Sequence, residues 1–296
     1  MNDDKKVIVR ILFKLKIHEA EGKSFEDLFA RIMNYAKPDF ERIKPSGSIG
    51  DYKADGRIPS KGIYFQAYGP EDIRKSPANA VKKLASDFSG LLEKWEGVKE
   101  YYFVVNDKYH GVPPQLSQAI EKIADDHGIK AKIWRANKLE DLVFSLNDDQ
   151  ILTITGQFPD PEEMQLDYST LGEVITHLMQ IDISDIQDGD IKYPDWDEKI
   201  KFNGLSRTMK IYLEQGFLHV HELDKYLDNN SNFFAEDVKD RVRKIYIDKA
   251  KEFSGDDLFM KILNTISHKP EPLFQLTAII IMAKYFEICD IFEEPK

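Results

Sequence analysis

Asp55 and Gln66 stand eleven residues apart in the stretch IGDYKADGRIPSKGIYFQAYGPE (49–71), and Asp51 lies four residues before Asp55. A carboxylate and an amide carbonyl offer the hard oxygen donors that Mg²⁺ or Mn²⁺ accepts. Held together, they suit metal-assisted cleavage of a phosphodiester, where the metal activates water and offsets charge on the phosphate. Glu26, upstream in SFEDLF, can add a third oxygen ligand from a helix. A lysine often assists such chemistry. Lys53, two residues before Asp55, is the first candidate; Lys61 is a weaker one.

These residues need a hairpin and a helix to position them. GDYKADGRI and GIYFQAY flank Pro-Ser-Lys-Gly, which reads as a hairpin turn. Eleven residues are enough to cross it and return to the same level. On a regular strand Gln66 and Tyr68 share one face, as do Lys53 and Asp55. Ser24 and Asp27 form an S-x-x-D pair that predicts a helix start, followed by Phe25, Leu28, Phe29, Ile32 and Met33 at helical spacing. Lys37-Pro38 ends that helix. Val7 to Ile17 fits helix or strand, with helix favoured. Phe40 to Ile43 is a short strand.

The pattern continues as helix from Ser76-Pro77 through Val81, Leu84, Phe88, Leu91, Leu92 and Trp95, then a buried strand over 98–106. A helix from Pro113-Pro114 to about Asp126 follows. Residues 129–134 alternate as a strand, and a helix capped by Asn137 runs over 137–146. The fold class is α/β (α+β) with a central mixed sheet. Residues 1–150 make the first domain. A linker over 151–166, rich in prolines and acids, leads to an all-helical domain over 167–296. Helices are predicted there over about 168–181, 205–216, 220–228, 233–253, 256–267 and 271–290.

Composition narrows the function. At 296 residues, 42% hydrophobic and 31% charged, two soluble globular domains are expected. The most apolar run, Leu276 to Met282, is too short to span a membrane. No secretion signal opens the chain, and the single Cys289 cannot form an internal disulfide, so a buried thiol and a cytoplasmic protein are expected. Residues 1–150 hold 25 Lys and Arg against 24 Asp and Glu; residues 151–296 hold 16 against 28. The acidic half is a poor surface for nucleic acid and a better one for a protein partner. The first half can carry a basic patch. His18, His110, His127, His177, His219, His221 and His268 show no zinc spacing. A P-loop motif is absent, so the chain is not expected to be an NTPase itself.

The series SFEDLF, GDYKADG and YFQAY resembles the PD-(D/E)xK nuclease superfamily, Mrr-like restriction endonucleases in particular, over roughly residues 5–147. The resemblance implies Glu26, Asp55 and Gln66 as site residues. It puts Tyr68 where the family's lysine belongs, leaving Lys53 or Tyr68 itself to support the phosphate charge. Asp51 is as well read as structural as metal-binding. A second similarity spans the whole chain. GDYKADG, YFQAYGPED, FVVNDKYHGVPP and PDWDEKIKFNGLS look like effector subunits of bacterial ABC-three-component conflict systems. That implies an antiphage DNA endonuclease gated by an SMC- or RecN-like ABC ATPase and a middle component, with DNA as substrate and homo-oligomers possible. The alternative is a nuclease-like fold that has lost cleavage and binds DNA or a partner. The bland readings are concrete too: a first-turn acid at Glu26, a turn Asp-Gly at Asp55, sheet packing at Tyr68, and an ordinary loop over 106–115.

Overall fold

The computed structural model describes residues 3–43, 53–183, 196–229, 234–288 and 291–293. Asp51 and Cys289 lie outside the described residues. Two compact units divide the chain: Leu12–Gly156, and Gln157–Lys296 with Asn2–Ile11.

The first unit is an α/β/α sandwich. Its elements run the second half of α1 (Asp3–Glu19, of which residues up to Ile11 belong to the other unit), α2 (Gly22–Ala36), β1 (Glu41–Arg42), β2 (Gly56–Ile58), β3 (Ile63–Tyr68), α3 (Pro77–Lys94), β4 (Glu100–Val105), α4 (Pro114–His127), β5 (Lys130–Trp134), α5 (Ala136–Phe144) and α6 (Asp148–Thr155). The five strands lie in chain order. β1–β2–β3 is an antiparallel meander, whereas β4 and β5 join parallel, as helical crossovers require. α3 and α4 cover one face, where Leu84, Phe88, Leu91, Leu116 and Ile120 pack on Tyr64, Tyr101, Phe103 and Val105. α2 covers the other, with Phe29 against Phe40 and Phe65. Side chains alternate along a strand, so Phe65 faces α2 while Tyr64, Gln66 and Tyr68 face α3.

One local expectation holds and others change. Val7 to Ile17 is helical; Ile8, Val9, Leu12 and Phe13 are all buried, so the Leu-Lys-Ile alternation at its end is not a strand signal. α2 starts two residues before Ser24. Ser24 sits at its third position and reaches back, accepting the Glu21 N–H at 2.8 Å and donating to the Glu21 carbonyl at 2.8 Å. Asp27 pairs with Arg42 of β1 instead. Asn137 lies inside α5, and the Ala136 N–H is met by Asp107 Oδ1 at 2.9 Å from a distant loop. Beside it, the Asn106 amide donates to the Ile17 and Ala20 carbonyls at 2.7 Å each. The 106–111 loop therefore satisfies orphan groups at two helix ends.

The second unit is helical: α7 (Tyr168–Leu178), α8 (Trp196–Phe202), α9 (Arg207–Phe217), α10 (Val220–Asp228), α11 (Phe234–Ala250), α12 (Gly255–Ser267) and α13 (Pro272–Glu287). α13 is buried from Gln275 to Ala283 and again at Tyr285 and Phe286. A helix apolar on all sides belongs at the centre of a bundle; α7, α9, α10, α11 and α12 all contact it. α8, within WDEKIKF, was not anticipated. Its Lys199 is only 1% exposed. The ammonium donates to the Phe286 carbonyl at 2.7 Å and lies 4.4 Å over the Phe286 ring, placing a cation at the C-terminus of α13.

Candidate functional site

The hairpin turn is a short 3-10 helix, Pro59–Lys61, so Asp55-Gly56 is not a turn. Gly56 lies in β2, and a Cβ there would stand 2.3 Å from the Phe40 ring. Only glycine lets that ring pack flat under the strand. Upstream, Lys53 has φ 61, a left-handed conformation, so the chain leaves the ladder just before Asp55. The next β3 donor, the Ala67 N–H, would then lack a strand partner. Asp55 Oδ2 accepts it at 2.7 Å, and the Gln66 amide donates to the same oxygen at 2.7 Å. An ionised carboxylate only accepts, so Gln66 must turn its NH₂ toward Asp55. That aims its carbonyl Oε1 the other way. Gln66 is 3% exposed, and Oε1 has no partner among the described residues.

A second buried polar atom lies on the same face. Tyr101, fully buried on β4 in register with Tyr64, has a hydroxyl with no hydrogen-bond partner among the described residues. Burial pushes its pKa well above the ordinary 10, and the nearby Asp87 and Asp55 charges push it further. Asp87, on α3, was not singled out by the sequence. It is 2% exposed and holds two lysines: Lys83 Nζ at 2.5 Å from Oδ2 and Lys53 Nζ at 3.3 Å from Oδ1. Its sequence signal is its place on the buried stripe, three residues after Leu84 and four before Leu91.

The structure thus brings Asp55 and Gln66 together. It gives the Lys53 ammonium to Asp87, because the turn at Lys53 breaks the regular-strand register. Tyr68 packs its ring against Phe103, centroids 5.8 Å apart. Glu26 is ion-paired with Lys23 at 2.7 Å on α2. Among the described residues no group of three or more His, Cys, Asp or Glu is gathered to hold a metal. Asp55 and Gln66 each carry a hard oxygen donor, but it is the Gln66 NH₂ that faces the carboxylate; only a half-turn of the Gln66 amide would bring Oε1 beside Asp55 to share a cation. No helix among the described residues is long and apolar enough to cross a membrane.

No curated protein and no solved structure matches the chain. Residues 169–293, from α7 to past α13, match CTD10, the C-terminal domain 10 of the ABC-three component (ABC-3C) systems. That similarity supports an ABC-three-component context for the chain, in which the other components of such a system are its implied partners.

Proposed function

We propose that this chain is the effector of its system, a Mg²⁺- or Mn²⁺-dependent DNA endonuclease whose site is centred on Asp55 and Gln66. The observation that carries the reading is the contact of Asp55 with the buried Gln66, whose carbonyl oxygen has no partner among the described residues. The strand order supports it as well: a helix, an antiparallel meander, then a crossover to a parallel strand is the layout the PD-(D/E)xK resemblance implies. Asp55 and Gln66 would hold the metal, with Glu26 as the further ligand that the resemblance implies and Asp51 as a candidate from the sequence alone. Bound there, the ion would supply positive charge at the phosphate and a more acidic water. Gln66, itself 3% exposed, orients the Asp55 carboxylate through its NH₂. The acidic half of the chain, 28 Asp and Glu against 16 Lys and Arg over residues 151–296, suits docking to partner subunits that gate the activity.

The test is divalent-dependent cleavage of plasmid DNA by the full chain with its system partners. Asp55→Asn keeps an acceptor oxygen for the Ala67 N–H, so folding is preserved. Cleavage is expected to fall by roughly 100-fold or more, and the heat of Mn²⁺ binding seen with the unmodified chain is expected to disappear. Cleavage by Asp55→Asn at the unmodified rate rules the site out.

The second reading is a nuclease-like fold that binds without cutting. Tyr68 in place of the lysine and the engagement of Lys53 by Asp87 favour it. It predicts no metal heat at the hairpin and DNA or partner binding that survives Asp55→Asn.

A further inference from the structure

A carboxylate on the buried stripe of a helix needs a reason. Removing an isolated charge from water costs several kcal/mol unless partners offset it. Asp87 recruits two lysines, and it recruits them differently. Lys83 is local, one turn back on α3. Lys53 comes from the segment before β2, 34 residues away in sequence. Three separate features deliver it. Its backbone is left-handed, φ 61, which turns the chain toward α3. Gly90, one turn beyond Asp87, leaves a slot for its stem: a Cβ at position 90 would stand 2.8 Å from Lys53 Cγ. The Asp87 carboxylate then anchors the ammonium. The two lysine side chains remain 46% and 40% exposed, so solvent reaches both. Asp87 and Asp55 both act on the buried Tyr101 hydroxyl, which puts the two acids around one side chain.

We propose that Asp87 is a positioning residue that fixes Lys53 and Lys83 as a pair binding the phosphates of a nucleic-acid backbone beside Asp55 and Gln66. Each ammonium has three N–H donors, more than one carboxylate oxygen takes up. The inference rests on the nuclease reading for its substrate class, but its test does not depend on cleavage.

The experiment measures binding of a fluorescent DNA duplex to the full chain in EDTA, across a salt series. Lys53→Ala and Lys83→Ala are each expected to weaken binding several-fold. Each should also make the slope of log K against log salt shallower by about 0.9. Lys53→Arg keeps the slope. Asp87→Asn is the decisive variant. If Asp87 were only a negative charge near DNA, removing it would tighten binding; as an anchor, its loss weakens binding. Should Asp87→Asn fail to fold, Gly90→Ala serves instead. It favours the helix yet displaces the Lys53 stem, and it should weaken binding likewise. An unchanged salt slope in both lysine variants, tighter binding by Asp87→Asn, or an unmodified chain that binds no duplex overturns the inference. Binding that follows these expectations without any cleavage by the unmodified chain leaves the inference standing and removes the nuclease reading.

Discussion

Asp87 in the first unit and Lys199 in the second are both buried charges, and the two are neutralised in opposite ways. Lys199 is held by a backbone carbonyl and an aromatic face, both fixed by α13. Asp87 is held by two lysine chains that solvent reaches. A charge matched by rigid groups locks a fold, because its partners cannot leave. A charge matched by partly exposed side chains holds those side chains in place for something else. Burial alone does not separate the two cases, since Lys199 and Asp87 are almost equally hidden. What separates them is the freedom of the partner.

This contrast can be broken by measurement. The largest effect is expected from Lys199→Ala, which leaves a cavity and an unsatisfied carbonyl. It should cost about 3 kcal/mol in denaturant unfolding of the full chain, with Lys199→Met, which keeps the volume, recovering much of the loss. A cost near zero for Lys199→Ala would show that its partners do not lock it. Asp87→Asn should cost less, about 1 kcal/mol, because its lysine partners can relax into water. A loss as large as that of Lys199→Ala would make Asp87 a structural lock as well, and the distinction would collapse.

A third group falls between the two. His268 stacks on His177, ring centroids 4.4 Å apart, so its partner is itself titratable. Burial, then the nearby His177 and Lys269 charges, hold the His268 pKa below the ordinary 6.5. The unfolded chain therefore takes up this proton at a higher pH than the folded one. The contribution is full above about pH 6.5 and is lost as pH falls below it. Melting of the chain should show a small destabilisation between pH 7 and pH 5. His268→Gln should flatten that slope, and an equal slope in the variant would exclude His268 as its source.

How much of this was legible in the sequence depends on the range of the interaction. Pairing of Asp55 with Gln66 was readable because a hairpin is local and eleven residues fix its level. The helical second unit was readable from periodicity, apart from the seven-residue α8, too short to show a repeat. Lys53 was misplaced because a regular strand was assumed where the backbone turns left-handed; a non-glycine residue there leaves no compositional mark. The cap of α5 was misassigned to Asn137 because Asp107 reaches it across 29 residues. Asp87 was missed although its signal was present: the stripe Leu84, Phe88, Leu91 was read from its apolar members, and the acid in its midst was passed over. A break in a hydrophobic pattern carries as much information as the pattern.

The Ala67 amide proton ends on Asp55 Oδ2. One backbone resonance is thereby wired to the candidate site. Any cation or phosphate that draws on that carboxylate must loosen or polarise this bond. The amide shift and exchange rate of Ala67 would register occupancy directly, with no nucleic acid cut and no partner present. The same carboxylate that closes the end of the sheet is thus a built-in spectroscopic probe of what the site binds.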